Sequence, residues 1–383
     1  DFAYQPVLAR QGRRMTREHQ LPLALMALLL EQEQQAPVTE MLVVGGGGRR
    51  LERDRVGLSA GLRKQLADAL RKLRLDLQRE EPPDLAADRR KCTLCSWRQV
   101  CNGVAASDGH LSEVSGIGAK RREMLQELNI RGLADLAAAD PEQLATAMER
   151  FGEQHGDVAR TLVAQARCQR SGKPERLSST PALPELIAAP GVLLYDIESD
   201  PDARHDFLHG FWSLPCGSDG RWDLAAARYQ PLLVLAEHGE PRCWQRIARY
   251  ISRYDDWPVL HYGETESLAL LRMAQRQGVS EPLQARLRRR LVDVHARIRQ
   301  HWRLPLNSYG LKSVASWRGF QWGQSGVDGA HALLWWRHWQ GEGPERRGSS
   351  HALRWIFQYN RDDCRATWAV ADWLRHQDQA GGS

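Results

Sequence analysis

The residue pair with the plainest chemistry is Asp196 and Glu198, in the stretch Gly191-Val-Leu-Leu-Tyr-Asp-Ile-Glu-Ser-Asp200. An apolar run that rises into acids reads as a buried strand ending at a polar edge. Alternate residues of a strand share a face, which sets the two carboxylates side by side, about 7 Å apart along the backbone. Like charges so placed repel unless a cation lies between them, and carboxylate oxygens suit Mg²⁺ or Mn²⁺. Taken alone, Asp-x-Glu fits a solvated strand end as well. Further along, Tyr359 and Asp363 are four residues apart in a helical segment and share one face of it. Asp362 points about 100° away from Asp363, so only one of these two acids can face a common site. Glu266 falls at a strand-to-helix junction after Pro258-Val-Leu-His-Tyr262, with Glu264 and Asp256 as rivals, and Asp293 follows the apolar pair Leu291-Val292.

A second group is Cys92, Cys95 and Cys101, spaced Cys-x2-Cys-x5-Cys. Thiolates on so short a span call for a soft cation or an iron–sulfur cluster. Three cysteines need a fourth ligand, and His110 could complete a zinc site. The chain has 7 cysteines, an odd number, and Cys168, Cys216, Cys243 and Cys364 are scattered. A metal site in a reducing compartment, and hence a cytoplasmic location, is expected rather than a disulfide framework. A third group is Val114-Ser-Gly116-Ile-Gly118-Ala-Lys120-Arg121-Arg122, a glycine turn opening a helix. Its free backbone N–H groups can meet a phosphate, and Lys120 and Arg121 add charge, although an ordinary helix–helix turn reads the same way.

The elements that must hold these groups come from pattern and composition. At 383 residues the chain is long enough for two or three domains, and 42% hydrophobic with 26% charged residues is ordinary for a globular protein. A net charge of +6 and a pI of about 9.0 lean toward a polyanionic partner. No apolar run is long enough to span a membrane, so no membrane partner is expected. The chain opens on Asp1, and residues 1–90 read as the end of a larger module. Of 14 tryptophans only Trp97 precedes residue 200, which suggests two joined modules. Helices are expected over Arg17–Gln32 and Val56–Leu77, the latter with a solvated basic face, and a hairpin at Met41–Gly48. Ser171–Pro190, rich in Pro and Ser, reads as a linker. Strands are expected at Phe207–Leu214, Tyr229–Leu235 and Pro258–Tyr262, with a last helix opening near Trp355–Asn360. Trp335, Trp336 and Trp339 suit core packing better than base stacking.

Two resemblances rest on these residues. The segment Tyr4–Arg10, the helix through Leu30, the Met41–Gly48 hairpin and the three cysteines resemble the C-terminal half of RecB-like nucleases. That resemblance implies a 4Fe–4S cluster on Cys92, Cys95 and Cys101, with a further cysteine far upstream. The acid-x-Lys and Gln-x-x-x-Tyr features of that group are missing, since Gln20 is followed four residues later by Ala24, so the module is expected to hold rather than cut. The order Asp196-x-Glu198, Glu266, Tyr359-x-x-x-Asp363 resembles the DEDD exonucleases in their tyrosine form, and more closely the YprB-type RNase H-like domains. By that resemblance Asp196, Glu198 and Asp363 are metal ligands, Tyr359 orients the attacking water, and Glu266 and Asp293 complete the acidic set around two Mg²⁺ or Mn²⁺ ions. The Gly116–Gly118 turn resembles a helix-hairpin-helix element, which implies nucleic-acid contact at Gly116, Gly118, Lys120 and Arg121.

The expected organisation is α/β: a partial RecB-like module at 1–104, a helix-hairpin-helix region at 105–170, a linker at 171–190, and an RNase H-like mixed sheet flanked by helices at 191–383. The expected function is a metal-dependent 3′–5′ exonuclease on DNA or RNA, single-stranded or at an end. A nucleic-acid-binding protein with decayed sites, or a cluster-bearing scaffold of a repair complex, is the alternative.

Overall fold

The computed structural model describes residues 4–11, 19–46, 52–80, 85, 95, 97–201, 203, 205–235, 237–342 and 350–380. The chain divides into two units, residues 1–85 with 200–205, and residues 86–199 with 206–383.

The first unit runs β1 (Val7–Gln11), α1 (Gln20–Gln34), β2 (Glu40–Gly46), β3 (Glu52–Gly57) and α2 (Ala60–Leu77). β1 pairs parallel with β2 and β2 antiparallel with β3, so the expected hairpin is present and β1 joins it through a helical crossover. Leu23, Ala24 and Ala27 of α1 and Leu62 and Leu66 of α2 pack with Met41, Val43 and Val56. The second helix is shorter than its pattern suggested, because β3 takes up Val56 and Ser59 caps α2 through the backbone N–H of Leu62. Part of its basic face is neutralised: Arg63 pairs with Glu31, and Arg71 with Asp68.

The second unit opens with α3 (Arg98–Ser107), α4 (Ala119–Glu127), α5 (Leu133–Ala138), α6 (Pro141–Glu149) and α7 (Glu153–Ser171). Their core is Leu111, Val114, Ile117, Leu125, Leu136, Leu144, Met148, Leu162 and Val163. Asp140 caps α6 from Glu142 and Gln143, with Pro141 at the first helical position, as the sequence suggested. Gly116 stands at φ 92°, a backbone conformation that strains a residue with a Cβ, so this turn favours glycine. The stretch expected to be a linker contains a strand, β4 (Glu175–Arg176).

Then follow β5 (Gly191–Asp200), β6 (His205–Pro215), β7 (Arg228–Leu233), α8 (Gly239–Ser252), β8 (Val259–His261), α9 (Glu264–Arg276), α10 (Glu281–Arg290), β9 (Leu291–Asp293), α11 (Val294–His301), β10 (Trp302–Arg303), α12 (Leu311–Trp317), α13 (Gly329–Gly341) and α14 (His351–Ala380). The sheet order is β7-β6-β5-β8-β9, with β6–β7 antiparallel and β5, β8 and β9 mutually parallel. β10 pairs antiparallel with β4, Glu175 opposite Arg303.

β5 is buried on both faces, and its alternation sends successive side chains into two different cores. Val192 and Leu194 pack with α11, α12 and α14, including Ile298, Val314, Cys364, Ala366 and Val370. Leu193 and Tyr195 pack with α8 and α9, against Ile247, Leu270 and Met273. Asp196 and Glu198 continue the even-numbered series, so the pleat alone carries them to the α14 side of the sheet. Trp336 and Trp339 of α13 are buried beside Phe207, with Trp336 stacked on it at 4.6 Å, and they serve as core.

Candidate metal and active site

Asp196 and Glu198 from β5 meet Asp363 from α14, and one ligand atom of each lies within 4.8 Å of the others. Two rigid elements distant in sequence thus supply three acids to one point. At an effective dielectric near 20, each fully ionised pair at that spacing repels by roughly 3 kcal/mol, more than a hydrogen bond returns. The carboxyls answer by holding protons. Burial, then Asp363 and Glu198, pushes Asp196 well above the usual carboxylate range, and burial and Asp363 do the same to Glu198. Burial pushes Asp363 up to about 6, against the opposing pull of Trp322, Lys312 and Tyr359.

The surrounding hydrogen bonds fix the carboxylates while leaving room for a ligand. Asn360 Nδ2 donates to Asp196 Oδ2 at 2.7 Å, and Asn360 Oδ1 accepts from the Tyr229 hydroxyl at 2.8 Å. An ionised Asp196 can only accept, which sets the amide NH2 toward it and leaves Oδ1 to the Tyr229 hydroxyl. Trp322 Nε1 donates to Asp363 Oδ1 at 2.6 Å. Glu198 Oε1 is buried without a hydrogen-bond partner. A buried oxygen that no donor satisfies is costly, and a hard divalent cation is the ligand that this oxygen and the two neighbouring carboxylates together fit. The residues present therefore suit one Mg²⁺ or Mn²⁺ ion.

The other sequence-derived candidates surround this group at different removes. Glu266 sits in the first turn of α9, its Oε2 buried without a partner, and burial raises it to about 7. It lies outside the three-acid group but close enough to Asp363 to feel its charge. Asp293 spends its Oδ1 on the backbone N–H groups of Gly263, at 3.0 Å, and Ala296, at 3.1 Å. It caps α11 and pins the Gly263 turn that leads to Glu266. Tyr359 is buried beside Asp363, and burial raises its phenol far above the ordinary range. Asp362 faces elsewhere: it accepts from Gly323 N at 3.0 Å and pairs with Arg365 at 3.3 Å, as the helical angle required.

Three contributors, Trp322, Lys312 and Gly210, were not legible as such. Asn360, next to Tyr359 in the sequence, offers itself either as a cap of the final helix or as a support for the ligands. That helix begins at His351, so Asn360 lies within it, wholly buried, and supports Asp196. Trp322 comes from the segment between α12 and α13. Lys312 reaches the Val327 carbonyl, sits 5.2 Å from the Tyr359 ring centroid and favours ionisation of Glu198 and Asp363. Gly210 lies opposite Asn360, where a Cβ would stand 1.6 Å from Asn360 Oδ1. A lone glycine inside a strand run was the one available signal, since it marks close approach of another group.

Of the cysteine set, Cys92 lies outside the described residues, Cys95 is exposed and Cys101 half-buried. His110 accepts from the Ser112 backbone N–H at 3.2 Å and lies 2.8 Å from its hydroxyl, both at Nδ1. Gly118 stands at the N-cap of α4, Lys120 is exposed, and Arg121 donates to the Gly116 carbonyl at 2.7 Å.

Residues 193–375 match a family model described as RNase H superfamily. No curated protein and no solved structure matches the chain. The C-terminal part is thus a mixed α/β, RNase H-like domain, and with its acidic cluster it suggests a metal-dependent nuclease-type activity in general, a hydrolytic role and interaction with nucleic acid. Among the described residues no helix is long and apolar enough to cross a membrane.

Proposed function

We propose that this RNase H-like domain is a metal-dependent 3′–5′ exonuclease that hydrolyses phosphodiesters of DNA or RNA. The observation that carries the reading is the meeting of Asp196, Glu198 and Asp363 at one buried point with an unpartnered Glu198 oxygen. A bound divalent ion, or a pair of them, would polarise the phosphodiester and lower the pKa of an attacking water. The chain's own residues do the rest. Asp196, held by Asn360, and Asp363, held by Trp322, are preoriented ligands. Tyr359 keeps its proton at any working pH and so positions a water rather than deprotonating it. Glu266, titrating near 7, can hold or release a proton at its buried Oε2, and Asp293 fixes the turn before it. Residues 1–104 and 105–170, read as RecB-like and helix-hairpin-helix parts, hold rather than cut. In this reading Cys92, Cys95 and Cys101 carry an iron–sulfur cluster or zinc, which visible absorption against zinc content distinguishes.

The decisive assay uses 5′-labelled single-stranded DNA and RNA with Mn²⁺. Stepwise shortening from the 3′ end by the wild type, lost in Asp196→Ala, is the expected result. Equal, metal-independent behaviour of the two would leave a nucleic-acid-binding protein without nuclease chemistry.

Stability should also report the site. Folded Asp363 and Glu266 hold protons up to about 6 and 7, whereas unfolded carboxyls release theirs near pH 4. Between those values the folded chain binds more protons, so rising pH lowers its stability. The melting temperature of chelator-treated protein should therefore fall from pH 5 to pH 8, and Mn²⁺ should raise it far more at pH 8 than at pH 5. A Mn²⁺ effect equal at both values would count against carboxylate ligation.

Lys312 supplies a smaller effect. Its charge favours the ionised acids, so in Lys312→Met they keep protons to higher pH. The acid limb of the pH–rate profile should move upward, and an unmoved limb would show that Lys312 does not act on the ligands.

A further inference from the structure

A cleft of about 600 Å³ lies between the helical region and the RNase H-like domain, away from the three acids. One wall is the glycine turn with Arg121 and the exposed side of α7, and the other is α11, β10 and the segment 304–310. Helix α7 is fixed there: Gln165 Nε2 donates to the Leu304 carbonyl at 2.9 Å, and the Tyr309 hydroxyl donates to Gln165 Oε1 at 3.1 Å. Across the rim, Asn307 Nδ2 donates to Glu113 Oε2 at 2.6 Å. The cleft is thus a feature of the packed chain rather than of a loose joint.

Its lining is one-sided in charge. Arg121, Arg299 and Arg303 contribute guanidinium groups, Ser115, Thr161 and Ser308 contribute hydroxyls, and no lining residue is acidic. Arg303 is paired with Glu175. Arg299 is exposed and has no carboxylate partner among the described residues, and Arg121 bonds only the Gly116 carbonyl there. Trp302, nine-tenths buried and also in the lining, has an indole N–H with no partner. Donors without acceptors, in a space of nucleotide-ligand size, ask for an anionic ligand rich in oxygen. The segment ending at Gly310 leads in the chain to Lys312, whose charge reaches Glu198 and Asp363, and α11, which lines the cleft with His295 and Arg299, is the helix that Asp293 caps.

We propose that this cleft binds the sugar–phosphate backbone of single-stranded nucleic acid, with Arg121 and Arg299 as phosphate contacts on opposite walls. The proposal rests on the nuclease reading only for its purpose, guiding a strand toward the acids. Binding itself is independent of cleavage.

The test is fluorescence anisotropy with fluorescein-labelled single-stranded DNA and RNA of equal length, in EDTA, over a range of salt. Arg121→Gln with Arg299→Gln should lose about tenfold or more in affinity, and the slope of log K against log salt should shrink by about 0.7 for each contact removed. Arg299→Lys should retain most of the slope while Arg299→Gln does not. Unchanged affinity and slope in the double variant would overturn the proposal, as would equal displacement of the probe by polyglutamate, which would make the site one for acidic peptide. Unchanged binding beside intact metal-dependent cleavage removes the cleft proposal and leaves the nuclease. Arginine-dependent binding beside absent cleavage does the reverse.

Discussion

Asp363→Asn is expected to abolish metal-dependent cleavage while making the metal-free protein more stable. Burial opposes the charge of this acid, and that charge in turn pushes Asp196 and Glu198 toward their protonated forms, so removing it relieves both the desolvation and the repulsion on its two neighbours. Asparagine keeps the shape and can still accept from Trp322 Nε1, which now bonds Asp363 Oδ1 at 2.6 Å. The fold should therefore survive. The chemistry should not, because losing one preorganised charge-stabilising group costs on the order of 10²–10³-fold or more in rate. Two measurements check this: turnover with Mn²⁺, and melting temperature at pH 8 in chelator. Mn²⁺ should stabilise the wild type and leave the variant nearly unmoved. A variant that melts lower than wild type in chelator would show that Asp363 earns its place by packing instead.

Gly210→Ala should damage both the fold and the acidic site. The new Cβ would stand 1.6 Å from Asn360 Oδ1 and 3.1 Å from the Tyr229 hydroxyl. No rotamer change at residue 210 avoids this, because a Cβ has no freedom. Asn360, wholly buried in α14, must give way. Its bonds to Asp196 and Tyr229 break together, and overpacking costs about 1–3 kcal/mol before the orphaned polar groups add a similar amount. The melting temperature should fall by several degrees, and activity by about 10–100-fold through the misaligned Asp196. Asn360→Ala alone should lose activity with a smaller loss of stability. In the double variant the two costs should fail to add, because the clash is gone. Additive costs would mean that Gly210 serves some purpose other than room for Asn360.

Much of the acidic site could be read from spacing. The apolar run into Asp196 and Glu198 determined a buried strand, and period two placed both acids on one face. The four-residue interval between Tyr359 and Asp363, and the turn of Asp362 away from them, follow from helix geometry and hold in the structure. The elements were legible for the same reason: their apolar periods are strong and local. Their ends were not. The final helix starts at His351 rather than at the expected opening near Trp355, and the stretch read as a linker pairs as β4 with β10, because such ends are set by partners distant in sequence.

What the sequence determined by itself was which residues could ligate a hard cation and which faces they would occupy, since both follow from side-chain type and backbone period. Only the tertiary structure decided that β5 and α14 put those faces together. It also chose Asn360 and Trp322 to hold Asp196 and Asp363, Gly210 to leave room, and Asp293 to bind the backbone of the Gly263 turn. Each of those roles rests on a contact across tens to hundreds of residues, and no local pattern records such a distance.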